Sequence, residues 1–172
     1  MIILISGTPG TGKTTVSKLL AKNTGRELIR ISDLASDDVT IRTEKDTKIV
    51  DMEKLKQKIK RRMSGSAVVD GHLSHLMGFG DLVIVLRTDP KVLKKRLLEK
   101  GFDKAKTREN LEAEALDVCL IESVERHKNV FEVDTTEKSP QDVAGDIIQI
   151  IDGNSENFKP GKIDWSEIFF KC

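Results

Sequence analysis

The chain has 172 residues, enough for one domain that buries a core without disulfides or a structural metal. Its 29 Lys plus Arg against 28 Asp plus Glu leave a net charge of +1, which excludes a global pull toward nucleic acid or acidic membranes. Cys119 and Cys172 lie too far apart for a zinc cluster and fit a reducing compartment, and no apolar run reaches membrane-spanning length, so the expected location is soluble and cytoplasmic.

Ile2 to Ile5 reads as a continuous aliphatic strand with no basic leader ahead of it. It runs into GTPGTGKTT, Gly7 to Thr15, and then into a helical pattern carrying Val16, Leu19 and Leu20. That order is the context the Walker A phosphate loop G-x-x-x-x-G-K-[ST] requires. Gly7, Gly10 and Gly12 let main-chain amides fold around phosphates at a helix start. Lys13 brings a full charge to the β and γ phosphates, the Thr14 hydroxyl is the expected Mg²⁺ ligand, and Thr15 reaches the α phosphate, so ATP is the expected phosphoryl donor.

After Gly25, a weaker strand is expected over Glu27 to Ile31. Residues from about 32 to 50 are polar, charged and poor in large apolar groups, which predicts a small mobile lobe over 30–50. Between Asp51 and Met63, the spacing of Met52, Leu55, Ile59 and Met63 predicts a helix with one face on the core. Its other face, KLKQKIKRRM, holds six cations; with 4% aromatics and no Tyr in the chain, a solvated face is the simpler reading, and direct RNA contact stays open.

Ala67 to Val69 is a strand ending at Asp70, which puts a carboxylate beside the phosphate loop where Mg²⁺ or its water would sit; Asp70-Gly71 is also a good turn pair. His72 points into the same region, to orient a water, contact phosphate or simply hold structure. His75 and His127 show no partner pattern and are read as surface or packing residues. Leu82 to Leu86 is a further aliphatic strand. Asp89-Pro90 starts a helix, and KGFDKAKTREN, Lys100 to Asn110, is read as a charged excursion without core residues, a short lid over 99–110. Val130 to Val133 closes the strand set, Ser139-Pro140 starts a last helix, and Gly153 ends it. A tail over 153–172 supplies Ile163, Trp165, Ile168, Phe169 and Phe170, either packed back on the domain or docked on a partner.

Strands alternating with helical segments predict an α/β fold of the P-loop NTPase class, a five-stranded parallel sheet with helices on both faces, over one domain, 1–172. A GTPase would need N-K-x-D and a D-x-x-G after Asp70, and neither is present; helicases and transporter ATPases need longer chains. A small kinase remains, with an acceptor lobe and a donor lid.

The sequence resembles the adenylate kinase isoenzyme 6 family. The likeness rests on GTPGTGKTT, on Ile31-Ser32-Asp33-Leu34, on VVDGH with Asp70 and His72, on VLRTDP (Val85 to Pro90), on KGF and EN around the lid, on EVDTT (Glu132 to Thr136) and on PGKIDW (Pro160 to Trp165). The resemblance implies reversible conversion of ATP and AMP to two ADP, together with ATP hydrolysis linked to Asp70 and His72. It puts Lys100 where relatives usually carry an arginine, and Lys138 near the adenine. Arg96 and Arg108 are further candidates to neutralise transferring charge, and Asp33, Arg42, Lys45 and Lys48 are candidates to bind the acceptor. It also implies work in small ribosomal subunit maturation with a ribosomal protein as partner. An ATP-switched assembly factor with incidental kinase activity, or a small kinase for another acceptor, are the alternatives.

Overall fold

A computed structural model describes residues 1–36, 39–44 and 47–167, and their side chains except those of 42–44, 47 and 48. The order of elements is β1 (Ile2–Ser6), α1 (Lys13–Thr24), β2 (Glu27–Arg30), α2 (Ile31–Leu34), β3 (Thr40–Glu44), β4 (Thr47–Val50), α3 (Met52–Arg62), β5 (Ala67–Asp70), β6 (Leu82–Arg87), α4 (Pro90–Glu99), α5 (Lys104–Ala115), α6 (Val118–Arg126), β7 (Val130–Asp134) and α7 (Pro140–Ile151). Five strands form one parallel sheet in the order β2-β5-β1-β6-β7, as the aliphatic runs predict.

Alternate residues of β1 face opposite sides of the sheet, and each side carries its own core. Ile3 and Ile5 pack with Val16 and Leu20 of α1 and with Val143 and Ile147 of α7. Leu4 packs with Leu55 and Ile59 of α3 and Leu120 of α6. Both faces are therefore covered, which is why β1, β5 and β6 read as unbroken apolar runs. Helix starts follow the sequence: Asp51 accepts from the amides of Glu53 and Lys54, Asp89 from that of Lys91 ahead of Pro90, and Ser139 and Asp142 form a capping box.

One expectation needs correction, and two stretches hold elements that the sequence reading did not assign. Within the polar stretch after β2, Ile31 leaves the strand to begin α2, and β3 and β4 pair as an antiparallel two-stranded sheet separate from the main one. The charged excursion is short. Only Lys100 to Asp103 lie between helices, because Asp103 caps α5 through the Lys106 amide, and Thr107 and Asn110 are buried inside it. A helix not expected as such, α6, lies between α5 and β7 and leaves Val118, Ile121 and Val124 exposed on its outer face.

The basic face of α3 is largely paired: Lys54 meets Asp51, Lys56 meets Glu53, Arg62 meets Glu27, and Lys60 lies 5.3 Å from the Phe79 ring centre. These are local, largely exposed pairs, so the face stays solvated. Phe158 packs against the α1 and α7 core, and the amides of Lys162 and Ile163 donate to Glu132 Oε1 at 2.7 and 3.1 Å, so the described part of the tail lies on the domain. Ile168, Phe169 and Phe170 lie outside the described residues. No helix among the described residues is long and apolar enough to cross a membrane.

Candidate active site

Every strand of the main sheet ends on a polar residue: Ser6, Arg30, Asp70, Arg87 and Asp134. In a parallel sheet these ends share one edge, so the fold collects chemistry there before any loop contributes. Between β1 and α1 the glycine loop turns back over this edge. Gly7 has φ of 132°, and a Cβ there would lie 2.4 Å from the Leu86 carbonyl oxygen, so no side chain fits. Gly12 caps α1 with φ of 95° and no side chain bonds the first turn, where the Thr15 amide reaches back to the Gly12 carbonyl at 3.1 Å.

Lys13 Nζ donates to the carbonyls of Gly7 and Thr8 at 2.7 and 2.8 Å, so the ammonium is held across the mouth of the loop. Desolvation pulls its pKa down to about 8, opposed by Cys119, Asp70 and Glu114. Thr14 and Thr15 are exposed on the first turn of α1.

Asp70 sits opposite Ile5 and Arg30 in register and is 5% exposed. Burial pushes its carboxyl pKa up, while a hydrogen bond with Thr14 and the charge of Lys13 pull it down. Its Oδ1 has no hydrogen-bond partner, and an unpartnered buried carboxylate oxygen next to a threonine hydroxyl fits a divalent cation. Among the described residues there is no cluster of three or more His, Cys, Asp or Glu that would hold a metal by itself. That donor set suits Mg²⁺, which keeps waters and takes substrate phosphates as ligands. Gly71 behind Asp70 leaves room for Ile31: a Cβ would come within 2.8 Å of it, so the dipeptide serves packing as well as turning.

Two adjoining cavities share the phosphate loop. One of about 230 Å³ is lined by Gly12, Lys13, Thr14, His72, Lys100 and Phe102. The other, about 380 Å³, runs from Thr15 past Lys100 to Arg96, Thr135, Lys138 and Val143. The larger is on the scale of a small-ligand site and the smaller falls short of it, and Lys100 borders both. His72 is exposed, yet its pKa is pushed down to about 4, by desolvation first and Lys13 second, and it is neutral at pH 7. Arg96 donates to the carbonyls of Thr135 and Thr136 at 2.9 and 3.2 Å, so it braces the wall of the larger cavity. Lys138 pairs with Asp146 at 2.7 Å. Arg108 is 80% exposed and paired with Glu112, away from both cavities. Asp33 pairs with Arg30 at 2.7 Å beside Asp70. Arg42 lies on β3 with an undescribed side chain, as does Lys48 on β4, and Lys45 lies outside the described residues.

Sequence reasoning missed the group behind the loop. Arg87, 1% exposed, donates from Nε to Glu114 Oε1 (3.0 Å), from Nη1 to Glu132 Oε2 (3.1 Å), and from Nη2 to the Glu114 carbonyl and to Asp117. Burial disfavours its charge, yet the carboxylates of Glu114 and Asp117 overcome that and raise its pKa. The signal was legible: an arginine closing the run LVIVLR has to find carboxylates inside. His75, 2% exposed, sits between Ser6 Oγ (2.6 Å) and Glu122 Oε2 (2.8 Å), while His127 Nε2 meets the His75 carbonyl oxygen, so both histidines serve packing.

The profile of the AAA domain family matches residues 3–117. Archaeal proteins carrying the name "Putative adenylate kinase" match nearly the whole chain. The one from Thermococcus gammatolerans is 43% identical over 170 residues, covering 98% of this chain and 95% of its own. That from Pyrococcus furiosus is 43% identical, covering 98% and 93%, and that from Methanosarcina barkeri 39%, covering 98% and 99%. Among solved structures, shikimate kinase from Acinetobacter baumannii in complex with shikimate superposes with a TM-score of 0.60 at 21% identity, covering 89% of this chain and 93% of that one. Shikimate kinase from Aquifex aeolicus gives 0.58 at 16% identity, covering 90% and 98%. At such identities these two speak for the P-loop kinase fold alone. The chain belongs to the AAA domain family and, along nearly its full length, to the same family as these archaeal relatives.

Proposed function

We propose that this protein is a nucleoside monophosphate kinase of the adenylate kinase type, moving the γ-phosphoryl group of ATP to AMP to give two ADP. The observation that carries the reading is the buried Asp70 carboxylate with its free Oδ1, set beside Thr14 and Lys13 at the head of α1. The archaeal relatives' name supports AMP as acceptor.

In this reading the amides at the start of α1 and the Lys13 ammonium hold the β and γ phosphates and draw off charge as the β–γ bridge breaks. Thr14 and Asp70 would hold Mg²⁺, which supplies charge neutralisation between those phosphates when bound. Lys100, between the two cavities, lies over the donor phosphates, and 99–110 acts as the lid through its short turn. Arg96 and Lys138 wall the space for the adenine. Arg30 at the end of β2 and Asp33 in α2 open the acceptor side, and the lobe 30–50 with Arg42 receives AMP. An AMP phosphate oxygen attacks the γ phosphorus in line, ADP leaves, and no side chain has to take a covalent role.

The likeness to the isoenzyme 6 family extends the proposal to ATP hydrolysis, with neutral His72 orienting a water beside Asp70, and to cytoplasmic work on the small ribosomal subunit with a ribosomal protein as partner. The test is direct. ADP should form faster from Mg-ATP when AMP is added, with two ADP per AMP consumed; ADP release indifferent to AMP would leave hydrolysis alone and sink the kinase reading.

A further inference from the structure

We infer that Glu114 is a positioning residue for phosphate binding: its buried carboxylate fixes the phosphate loop through Thr8 and ties that loop to the strand and helix behind it. The inference rests on the phosphate-loop reading above and adds a residue outside the glycine-lysine motif.

Thr8 is the second residue of the loop and 1% exposed. Its carbonyl oxygen accepts Lys13 Nζ at 2.8 Å and Thr11 Oγ1 at 2.9 Å, so where Thr8 sits determines where the ammonium sits. Its hydroxyl donates to Glu114 Oε2 at 2.5 Å, across 106 positions of sequence. The other oxygen of Glu114 accepts Arg87 Nε at 3.0 Å and the Thr88 amide at 2.9 Å. Glu114 itself is 2% exposed, so every one of these bonds is shielded from water. A loop rich in glycine has little intrinsic stiffness, and its amides serve phosphate only if held in one arrangement. The Thr8–Glu114–Arg87 chain supplies that stiffness from β6. It also links the loop to α5, whose other end adjoins the Lys100–Asp103 turn bordering both cavities. Acceptance from three donors uses both carboxylate oxygens, and an alanine would leave Arg87 short of a partner in the interior.

Thr8→Val keeps shape and burial while removing the hydroxyl, and Thr8→Ser restores it. With a fluorescent ATP analogue and Mg²⁺ as probe, Thr8→Val should weaken binding about tenfold, Thr8→Ser should stay within about threefold of the wild type, and Glu114→Gln should weaken binding to a similar degree. Combining Thr8→Val with Glu114→Gln should cost clearly less than the product of the two single effects, since both break one contact. A purely structural role would lower the melting temperature and leave nucleotide affinity untouched at 25 °C. If the wild type binds the probe and Thr8→Val binds equally well, Glu114 does not position the loop and the phosphate-loop reading survives. If the wild type does not bind, both readings fall together. Should Glu114→Gln not fold, the Thr8 pair decides the matter by itself.

Discussion

The phosphate loop and the hairpin lobe flank the same sheet edge but are held in different ways. The loop is pinned from within: Lys13 bonds its carbonyls, Thr8 reaches Glu114, and Gly7 lies against the Leu86 carbonyl with no room for a side chain. The lobe stands outside the main sheet. Its two strands pair with each other, and it joins the body through contacts such as the Asp51 amide on the Val39 carbonyl at 2.8 Å and Thr40 Oγ1 on the Ser36 carbonyl at 3.0 Å. Triphosphate chemistry is the same for every donor, so a preorganised cradle serves it. In the kinase reading proposed above, an acceptor has to be admitted, enclosed and released, which favours an element built outside the main sheet.

Substitutions can break or sharpen this contrast. The largest effect is expected at Lys13→Ala, where loss of one charge at the phosphates removes about 2–4 kcal/mol of transition-state stabilisation, roughly 30- to 1000-fold in turnover. A coupled assay near wild-type rate would refute the site. Asp70→Asn should lower Mg²⁺-dependent kcat by about 10- to 100-fold while nucleotide affinity changes little; equal rates at saturating Mg²⁺ would make Asp70 a turn residue only. On the other side of the cleft, Asp33→Asn should raise KM for AMP by roughly fivefold or more and leave KM for ATP alone. A change in both constants would mean that donor and acceptor sides are not separable in this way.

The smallest effect concerns pH and stability. Desolvation holds His75 below its ordinary 6.5 in the folded state, with its Glu122 hydrogen bond opposing and Arg126 and His127 adding to the depression. The unfolded chain therefore takes up the proton first as pH falls. The stabilisation is present above about pH 6.5 and is lost as pH drops toward the folded value, at up to about 1.4 kcal/mol per pH unit. His72 shifts in the same direction, so comparison with His75→Gln isolates the contribution. Urea midpoints that fall in parallel for both proteins between pH 7.5 and 5.5 would exclude it.

How legible the molecule was in its sequence differed from place to place. Strands buried on both faces announce themselves as apolar runs, and Ile2–Ser6 and Leu82–Arg87 did so. Asp89, Asp51 and Ser139 marked helix starts because caps are local chemistry. The strands Thr40–Glu44 and Thr47–Val50 were hidden because their residues lack the alternation of a half-buried strand, and the start of α5 because KAKTRE has only Ala105 as an apolar residue. The placement of Lys13, Thr14 and Asp70 followed from a motif and a strand end. Glu114 did not, because its meaning depends on Thr8, more than a hundred residues away, and nothing near Glu114 in sequence points there. Arg108 went the other way: promising by charge, it faces solvent beside Glu112.

The amides of Lys162 and Ile163 on Glu132 carry one more consequence. Glu132 is 2% exposed, and its second oxygen holds the Arg87 guanidinium. A protease cut ahead of Pro160 would thus strip the donors from one half of an interior carboxylate and let water in beside the other. Clipping beside Pro160 would be felt as loosening at the centre, so limited digestion followed by calorimetry would show the cut chain melting early and over a broader range.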